Sequence, residues 1–414
     1  MFAAPPEVSP LSLELNGPGT NHDDPCFWVD PHDPTRAMLF ATAKDSGLVE
    51  VFDLPARTLL GTIPGFLRPN NCWVEGDLLL TTDTLAHDVK LHHLPDLEPA
   101  GTLGDDTLRP MGIATLHTPD GRTLLYVTDE GDASVHVYDL ATQGLVQKFF
   151  TNFGAGTTLR IEPVLADDRY QRLFISREEK TGHGIGLFTP DGTLVREFGG
   201  SIFAKDTEGL ALYTCGDGGY LLASDQHLLA TEFEVFDRVT LDHLGTFTMQ
   251  DGNGEFTSAT DGIEILQAPL PGFPAGMLAA CDGCGDNFPD QTDVMAWERI
   301  ASVVGLDLCP GGIAPDCVST PCMRRIFPSA DASVLRETPD TNAGADAGLV
   351  IDASPQAEAL LRFMVPDLTG FDVERASLRL TVDTETGADS DGGGVLYTAG
   401  DDWDEDTVTW NTRP

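Results

Sequence analysis

The stretch "KDTEGLALY", Lys205 to Tyr213, sets two carboxylates, Asp206 and Glu208, two residues apart at the mouth of an apolar run. Side chains alternate between the two faces of an extended chain, so both acids project from one side, a few ångströms apart. Like charges so placed repel, and either water screens them or a cation sits between them. Comparable acidic clusters stand in "NHDDPCFWVDP", "RIEPVLADD", "SREEKTG" and "TDGIEIL". Carboxylates brought together from separate loops suit Ca²⁺, which takes six to eight oxygens at about 2.3–2.6 Å without the strict octahedron of Mg²⁺. None of these pieces is an EF-hand loop. Other chemistry finds little support: there is no G-x-S-x-G elbow, the glycine clusters "GDGG" and "GGG" lack the lysine and helix of a phosphate loop, and the ten histidines are scattered.

The whole composition points the same way. Lys and Arg number 24 against 66 Asp and Glu, a formal net charge of −42, which excludes nucleic acid and anionic membrane as partners and favours cations. No stretch reaches the roughly twenty apolar residues of a membrane span, and "MFAAPPEVSP" lacks the basic and apolar regions of a signal peptide. Eight cysteines, at 26, 72, 215, 281, 284, 309, 317 and 322, suit an oxidising compartment and hence a secreted or cell-surface protein. Their pairing cannot be read from sequence. Cys281 and Cys284 form the one C-x-x-C, without the second pair a zinc ribbon needs, so structural disulfides are the expectation.

The elements that must position these acids are β-strands. "LVEVFDLPARTLLGTI", "DVKLHHLPDLEPAGTL", "SVHVYDLATQGLVQKF", "GIGLFTPDGTLVREFG" and "EFEVFDRVTLDHLGTF" repeat a strand–turn–strand pattern every 40 to 50 residues, the period of propeller blades. A sixth unit is expected after "GMLAAC", around "DVMAWERIASVVG". The predicted fold is therefore all-β, a six-bladed β-propeller, with a pair of sandwiches as the alternative. After Gly305, "LCPGGIAPDCVSTPCMRR" reads as a linker tied by disulfides. A second β pattern follows, in "DASVLRETPDTNAG", "ALLRFMVPDL", "ASLRLTVDTE" and "DDWDEDTVTWNTRP". The expected divisions are an N-terminal extension (1–19), the propeller (20–305), the linker (306–327) and a C-terminal β-sandwich (328–414).

The order of the acidic motifs is more specific than any one of them. "DDPCFWVDP", "IEPVLADD", "REE", "DTEGLALY", "GYLLASDQ" and "TDGIEIL", with "GMLAACDG" and "AWERIA", follow the sequence of motifs in the β-propeller phytases, which this chain resembles from about Asp23 to Ala301. That resemblance implies several Ca²⁺ ions in a shallow acidic cleft and phosphate release from myo-inositol hexakisphosphate or a related phosphomonoester. Carried over by position, the implied calcium ligands are Asp24, Glu178, Asp206, Glu208, Gln226 and Asp261, with Asp23, Glu162 and Glu179 outside them; Lys44 takes the place of a phosphate-contacting lysine, and Asp261 and Lys44 are the implied catalytic pair. The chain departs from the family at other phosphate contacts. "NNCWVE" carries Trp73 and Glu75 in place of an acid and an arginine, the arginine expected after "DLLLTTDT" has no counterpart, a tyrosine position reads Met111, and a lysine position reads Asp129.

Residues 328–414 resemble the start of the DNRLRE-type β-sandwich of secreted and surface bacterial proteins, through Asp331, "TPDTNAG", "LLRF", "ASLRL", Trp403 and "TVTWN". The resemblance implies an incomplete domain, poorly ordered or packed on the propeller, and attachment to a cell surface or matrix. Two further readings compete with a calcium-dependent phosphatase: a calcium-stabilised propeller that binds without catalysis, and a propeller hydrolase of another ester such as a lactone.

Overall fold

A computed structural model of the chain describes residues 5–33, 36–151, 160–177, 184–283, 290–312, 328–344, 348–363, 378, 395–400 and 402–414. They form two compact units, Met1–Pro315 and Asp316–Pro414.

The first unit is a ring of six antiparallel sheets. Blade one comprises His22–Val29, Ala37–Ala43, Leu48–Asp53 and Thr58–Pro64, and blade two Pro69–Glu75, Leu78–Asp83, Asp88–His93 and Pro99–Gly104. Blade three runs Pro110–His117, Thr123–Asp129, Ser134–Asp139 and Gly144–Phe150, and blade four Ile161–Asp167, Arg172–Arg177, Ile185–Phe188 and Leu194–Phe198. Blade five is Thr207–Cys215, Gly218–Asp225, Glu232–Asp237 and His243–Met249, edged by Glu7–Val8. Blade six takes Ile263–Leu266, Met277–Asp282 and Gln291–Ala296 from its own stretch and its outer strand, Leu13–Leu15, from the N-terminal segment. The first strands of successive blades pack side by side, and the sixth packs on the first. Each of the five repeats read from the sequence forms the third and fourth strands of its blade.

Blade six differs from the sequence expectation in one respect. "WERIASVV" is a helix, Trp297–Val304, whose buried Trp297, Ile300 and Ala301 fall at helical spacing. Gly305 ends it in the left-handed conformation at φ 82°. Trp297 stacks on Tyr213 at 3.8 Å between ring centroids. With that stretch helical, the ring needs a strand from elsewhere, and the residues read as an N-terminal extension supply it.

A bulge recurs at the start of the first strand in blades one to five. There two residues, Asp23–Asp24, Asn70–Asn71, Met111–Gly112, Glu162–Pro163 and Glu208–Gly209, stand opposite one residue of the second strand: Thr42, Thr82, Thr128, Ser176 and Ser224. A bulge disrupts the ladder and turns a side chain out of the sheet. The hydroxyls make good the missing bonds. Thr128 Oγ1 accepts the Gly112 N–H at 2.8 Å and donates to the Glu162 carbonyl of the next blade at 2.6 Å. Thr82 does the same between Asn71 N–H (2.9 Å) and Met111 O (2.8 Å), and Ser224 between Gly209 N–H (2.7 Å) and Asp261 O (3.2 Å). Thr42 and Ser176 donate to Asn70 O and Thr207 O. At the last junction Cys281 Sγ lies 4.0 Å from His22 O. The blades come so close that a Cβ on Gly112 would stand 2.1 Å from the Glu162 carbonyl.

Apolar side chains fill the wedges between blades, for example Trp28, Phe40, Val51, Ile63 and Leu79 between the first and second. Cys26–Cys72 joins the first strands of those two blades, and Cys215–Cys309 ties blade five to the segment after the helix. Cys284, Cys317 and Cys322 lie outside the described residues.

The second unit is a separate β unit. Among its described residues Gln356–Phe363 pairs antiparallel with Pro328–Leu335 on one side and Asp352–Ala353 on the other. Ala332, Val334 and Val408 form a small core with Leu360, Trp403 and Trp410 packed against it.

Replacing Thr128 by valine keeps the shape but strands a buried N–H and a buried C=O, at roughly 1–3 kcal/mol for each unpaired group. Urea unfolding of the propeller is expected at a clearly lower midpoint for Thr128→Val than for Thr118→Val, whose hydroxyl sits in an exposed turn. Equal midpoints for the two variants are the result against this role of the hydroxyls.

Candidate active site

First bulge residues form the floor of a cleft of about 340 Å³ at one end of the ring: Asn70, Met111, Glu162 and Glu208 line it, joined by Asp261, two residues before the first strand of blade six. The residue just before the first strand supplies the wall, and this position reads Arg68, Arg109 and Arg160 in blades two, three and four, then Asp206 in blade five. Residues following the second strands complete it, namely Lys44, Thr84, Leu85, Glu130 and Gln226. The cleft is therefore bipolar, with all three guanidinium groups on blades two to four and the carboxylates concentrated on blades four to six, Glu130 of blade three excepted.

The acidic side is buried and densely charged. Lys44 Nζ lies 2.6 Å from Asp261 Oδ2 and 3.1 Å from Asp23 Oδ1. Gln226 Nε2 donates to the other Asp261 oxygen, and its backbone N–H donates to Asp206 O at 3.0 Å. Asp23 Oδ2 is buried without a hydrogen-bond partner. Burial pushes the Asp261 carboxyl up to about 7 against the pull of Lys44, and raises Asp23 and Glu162 as well. Burial opposes the charge on Lys44, yet Asp23, Asp261 and Glu162 outweigh it and hold the ammonium well above the usual lysine range.

Asp24 belongs to a layer behind this one. Its carboxylate accepts the Cys72 N–H at 3.1 Å and is absent from the cleft lining. Burial, then the Asp23 charge, drives its pKa well up, and burial pushes the neighbouring Glu264 up to about 8. Gly262 is required here, since a Cβ would stand 2.1 Å from Asp24 Oδ1.

Of the residues named from sequence, Asp206, Glu208, Gln226, Asp261, Lys44 and Glu162 thus share one cleft, Asp23 touches it through Lys44, and Asp24 lies behind. Glu178 and Glu179 lie outside the described residues. Glu75 stands at the far end of its strand from Asn70, where it accepts from Thr115 Oγ1 at 2.6 Å and lies 3.0 Å from His117 Nε2. Trp73 Nε1 donates to the same threonine at 2.9 Å. Asp129 is spent on its own blade, accepting the Gly131 N–H at 2.8 Å and lying 3.3 Å from His136 Nε2. Sequence reasoning found phosphate-contact positions vacated but missed the three arginines that line the cleft from another position. The signal was present in "RPN", "RPM" and "RIE", at one offset in three successive repeats.

The phytase family model matches residues 13–86 and 156–309, more than half of the chain. The chain belongs to the phytase family. This places it among phytase-like phosphatases, a family that is generally calcium-binding. Residues 87–155, which carry Met111, Asp129, Arg109 and Glu130, fall between the two matched segments. Carbohydrate-binding module family 96 matches residues 323–414, the stretch that resembles the DNRLRE-type sandwich. Among solved structures, one titled "Structure of U3-55K" is similar at a TM-score of 0.42 and 12% identity, over 67% of this chain and 80% of that one.

The cleft fits the metal of its family. Its donors are hard oxygens, from Asp206, Glu208, Glu162, Asp261 and the Gln226 amide, and Asp23 Oδ2 is a buried oxygen lacking a partner. A second group, Asp225, His227 and Glu232, could reach one ion. Asp225, however, accepts the backbone N–H groups of Ala204 and Lys205 at 2.8 and 2.7 Å, as Asp83 accepts those of Leu67 and Arg68, both at 2.8 Å. It is a blade-building residue.

The raised carboxyls fix a pH dependence. Asp261 and Glu264 hold protons in the folded chain that the unfolded chain has released, so their contribution is full below about pH 4 and is lost as pH rises to about 8. In chelator, the melting temperature is expected to fall between about pH 5 and pH 8.5, and Glu264→Gln is expected to flatten the fall. A wild-type melting temperature that rises over that range, with Glu264→Gln unchanged, is the contrary result.

Proposed function

We propose that the propeller is a calcium-dependent phosphomonoesterase acting on myo-inositol hexakisphosphate or a related phosphate ester. The observation that carries this reading is the cleft lining: Glu162, Asp206, Glu208, Asp261 and the Gln226 amide share one space with Arg68, Arg109 and Arg160. Asp206, Glu208, Gln226 and Asp261 hold the cations, with Glu162 and Asp23 beside them, Asp24 behind and Glu178 as a further ligand. When bound, calcium stabilises charge developing on the phosphoryl group and activates water for attack. The chain's own residues do the rest. Lys44 bridges Asp23 and Asp261, keeping both oriented and offsetting part of their repulsion. The arginine side draws phosphate in despite the net charge of −42.

Two disulfides support a secreted or cell-surface setting, and among the described residues no helix is long and apolar enough to cross a membrane. For the second unit, the carbohydrate-binding family match supports attachment to a polysaccharide surface or matrix. Two partly buried tryptophans of this unit are braced by cations, Arg362 lying 4.5 Å from the Trp403 ring centre and Arg413 3.6 Å from that of Trp410. The loss of family contacts at Met111 and Asp129 favours a second reading, a calcium-stabilised propeller that binds without turnover.

Phosphate release from calcium phytate separates the two. The wild type is expected to be active and chelator-sensitive, with Glu208→Gln and Asp261→Asn each reduced by roughly a hundredfold or more, the scale of one lost electrostatic contact in a preorganised site. A wild type that binds calcium, shown by a higher melting temperature, yet releases no phosphate leaves the binding reading in its place.

A further inference from the structure

Three ionisable groups from three blades meet at the end of the ring opposite the cleft. His117, the last residue of the first strand of blade three, lies with Nδ1 2.7 Å from Asp168 Oδ2 and Nε2 3.0 Å from Glu75 Oε1. Glu75 ends the first strand of blade two, and Asp168 follows the first strand of blade four. One imidazole thus spans two carboxylates that belong to the blades on either side of it. At their other ends the same three strands begin beside Arg68, Arg109 and Arg160 of the cleft.

Each acid is anchored through one oxygen and offers the other to the ring. Asp168 Oδ1 accepts the backbone N–H of His117 at 2.9 Å, and Gln171 Nε2 donates to the carbonyls of His117 and Asp168 at 2.8 and 2.7 Å. Glu75 Oε2 accepts from Thr115 Oγ1, which in turn accepts from Trp73 Nε1. A neutral imidazole has one N–H and one lone pair, so it donates to one of these carboxylates and turns a lone pair on the other; only the imidazolium donates to both. The arginines of the adjoining turns are engaged with other acids, Arg169 with Asp217 at 2.6 Å and, on the hairpin of His117 itself, Arg122 with Asp120 at 3.0 Å. Burial opposes the charge on His117, yet Asp168 and Glu75 outweigh it and raise its pKa above the ordinary histidine value. The His117 and Asp168 side chains are 53% and 50% exposed, so protons exchange with solvent, whereas Glu75 is 22% exposed and relies more on its partner.

We propose that Glu75, His117 and Asp168 form a proton-operated latch across blades two, three and four, closed while the imidazole carries both of its N–H protons and open once it gives one up. The latch does not depend on what the cleft binds. Its sign is fixed by linkage: a histidine whose pKa is higher in the folded chain than its unfolded value of about 6.5 adds stability in full below that value and loses it as pH rises through the folded pKa. The strands that begin at the arginine side of the cleft are therefore held together in mildly acidic water and released in alkaline water. The latch also gives a purpose to Glu75, which stands where the sequence resemblance expects an arginine. An arginine there would set a like charge against the imidazolium.

The test follows melting temperature from about pH 5 to about pH 8.5, in chelator, for the wild type, His117→Gln, Glu75→Gln and the double variant. The readout is the difference between wild type and variant at each pH, because the buried carboxyls of the cleft titrate alike in all four proteins. For His117→Gln the difference is expected to be about 2–4 °C at the acid end and to shrink to nearly nothing at the alkaline end. Glu75→Gln is expected to show the same trend, and the double variant to lose no more at the acid end than His117→Gln alone, since both substitutions break one device. A difference that stays constant or grows with pH assigns His117 to packing alone and overturns the latch. A second measurement needs only the wild type and Asp168→Asn, a change at a half-exposed side chain: the His117 imidazole, followed by NMR, is expected to titrate above about 6.5 and to move down in the variant. A wild-type midpoint at or below that value, or one that Asp168→Asn leaves in place, overturns the latch even where the other variants fail to fold.

Discussion

Every feature of the cleft depends on one small exchange of hydrogen bonds, the hydroxyl that enters each first-strand bulge and reaches on to the next blade. The bulge alone would leave an N–H unpaired inside the ring, and the blade junction alone would leave a carbonyl unpaired. One Thr or Ser satisfies both, as Thr128 does between Gly112 and Glu162. The first bulge residue is thereby released from the sheet and turned to the channel, and its depth is fixed by the neighbouring blade. Asn70, Met111, Glu162 and Glu208 reach the cleft for this reason, and four blades of unlike sequence deliver side chains to one level.

That geometry creates an electrostatic debt which the protein only partly settles itself. Lys44 supplies one positive charge to Asp23 and Asp261, while burial raises those acids, Glu162, Asp24 and Glu264 together. Such an arrangement is tolerable when cations occupy it, and buried carboxyls with raised pKa values cluster at the end of the ring that carries the cleft. The arginines are kept on the other blades and paired with acids there, Arg68 with Asp45 at 3.3 Å and both Arg109 and Arg160 with Glu130 at 3.0 Å. Opposite charges are thus separated across the cleft, where direct collapse onto one another would have closed it.

Much of this was legible in the sequence. The period of the hairpins gave the blade count because a hairpin of third and fourth strands recurs once in each of five blades, and Asp206 and Glu208, read as sharing a face, both line the cleft. Asp24 was harder: adjacent to Asp23, it takes the second bulge position, and alternation sends it to a different layer. The arginines were missed because a motif search asks for residues at family positions, whereas the cleft wall is set by an offset from the bulge. The sixth blade misled for a similar reason, since an apolar run beginning "AW" fits strand and helix alike until Ile300 and Ala301 show the helical period.

The outer strand of blade six has a consequence for how the chain comes to exist. Leu13 pairs with Val294, so the ring is fastened by joining a strand that precedes all the blades in sequence with nearly the last strand of the propeller. Contacts so distant along the chain are slow to form, because the loop entropy must be met before the pairing rewards it. Until that clasp shuts, blades one and six need not meet, and Asp23 and Asp261 have no reason to share Lys44. The cleft is therefore a property of the closed ring and of no segment within it. A nascent chain carries its acids apart in water, and only a finished propeller brings them into one cleft.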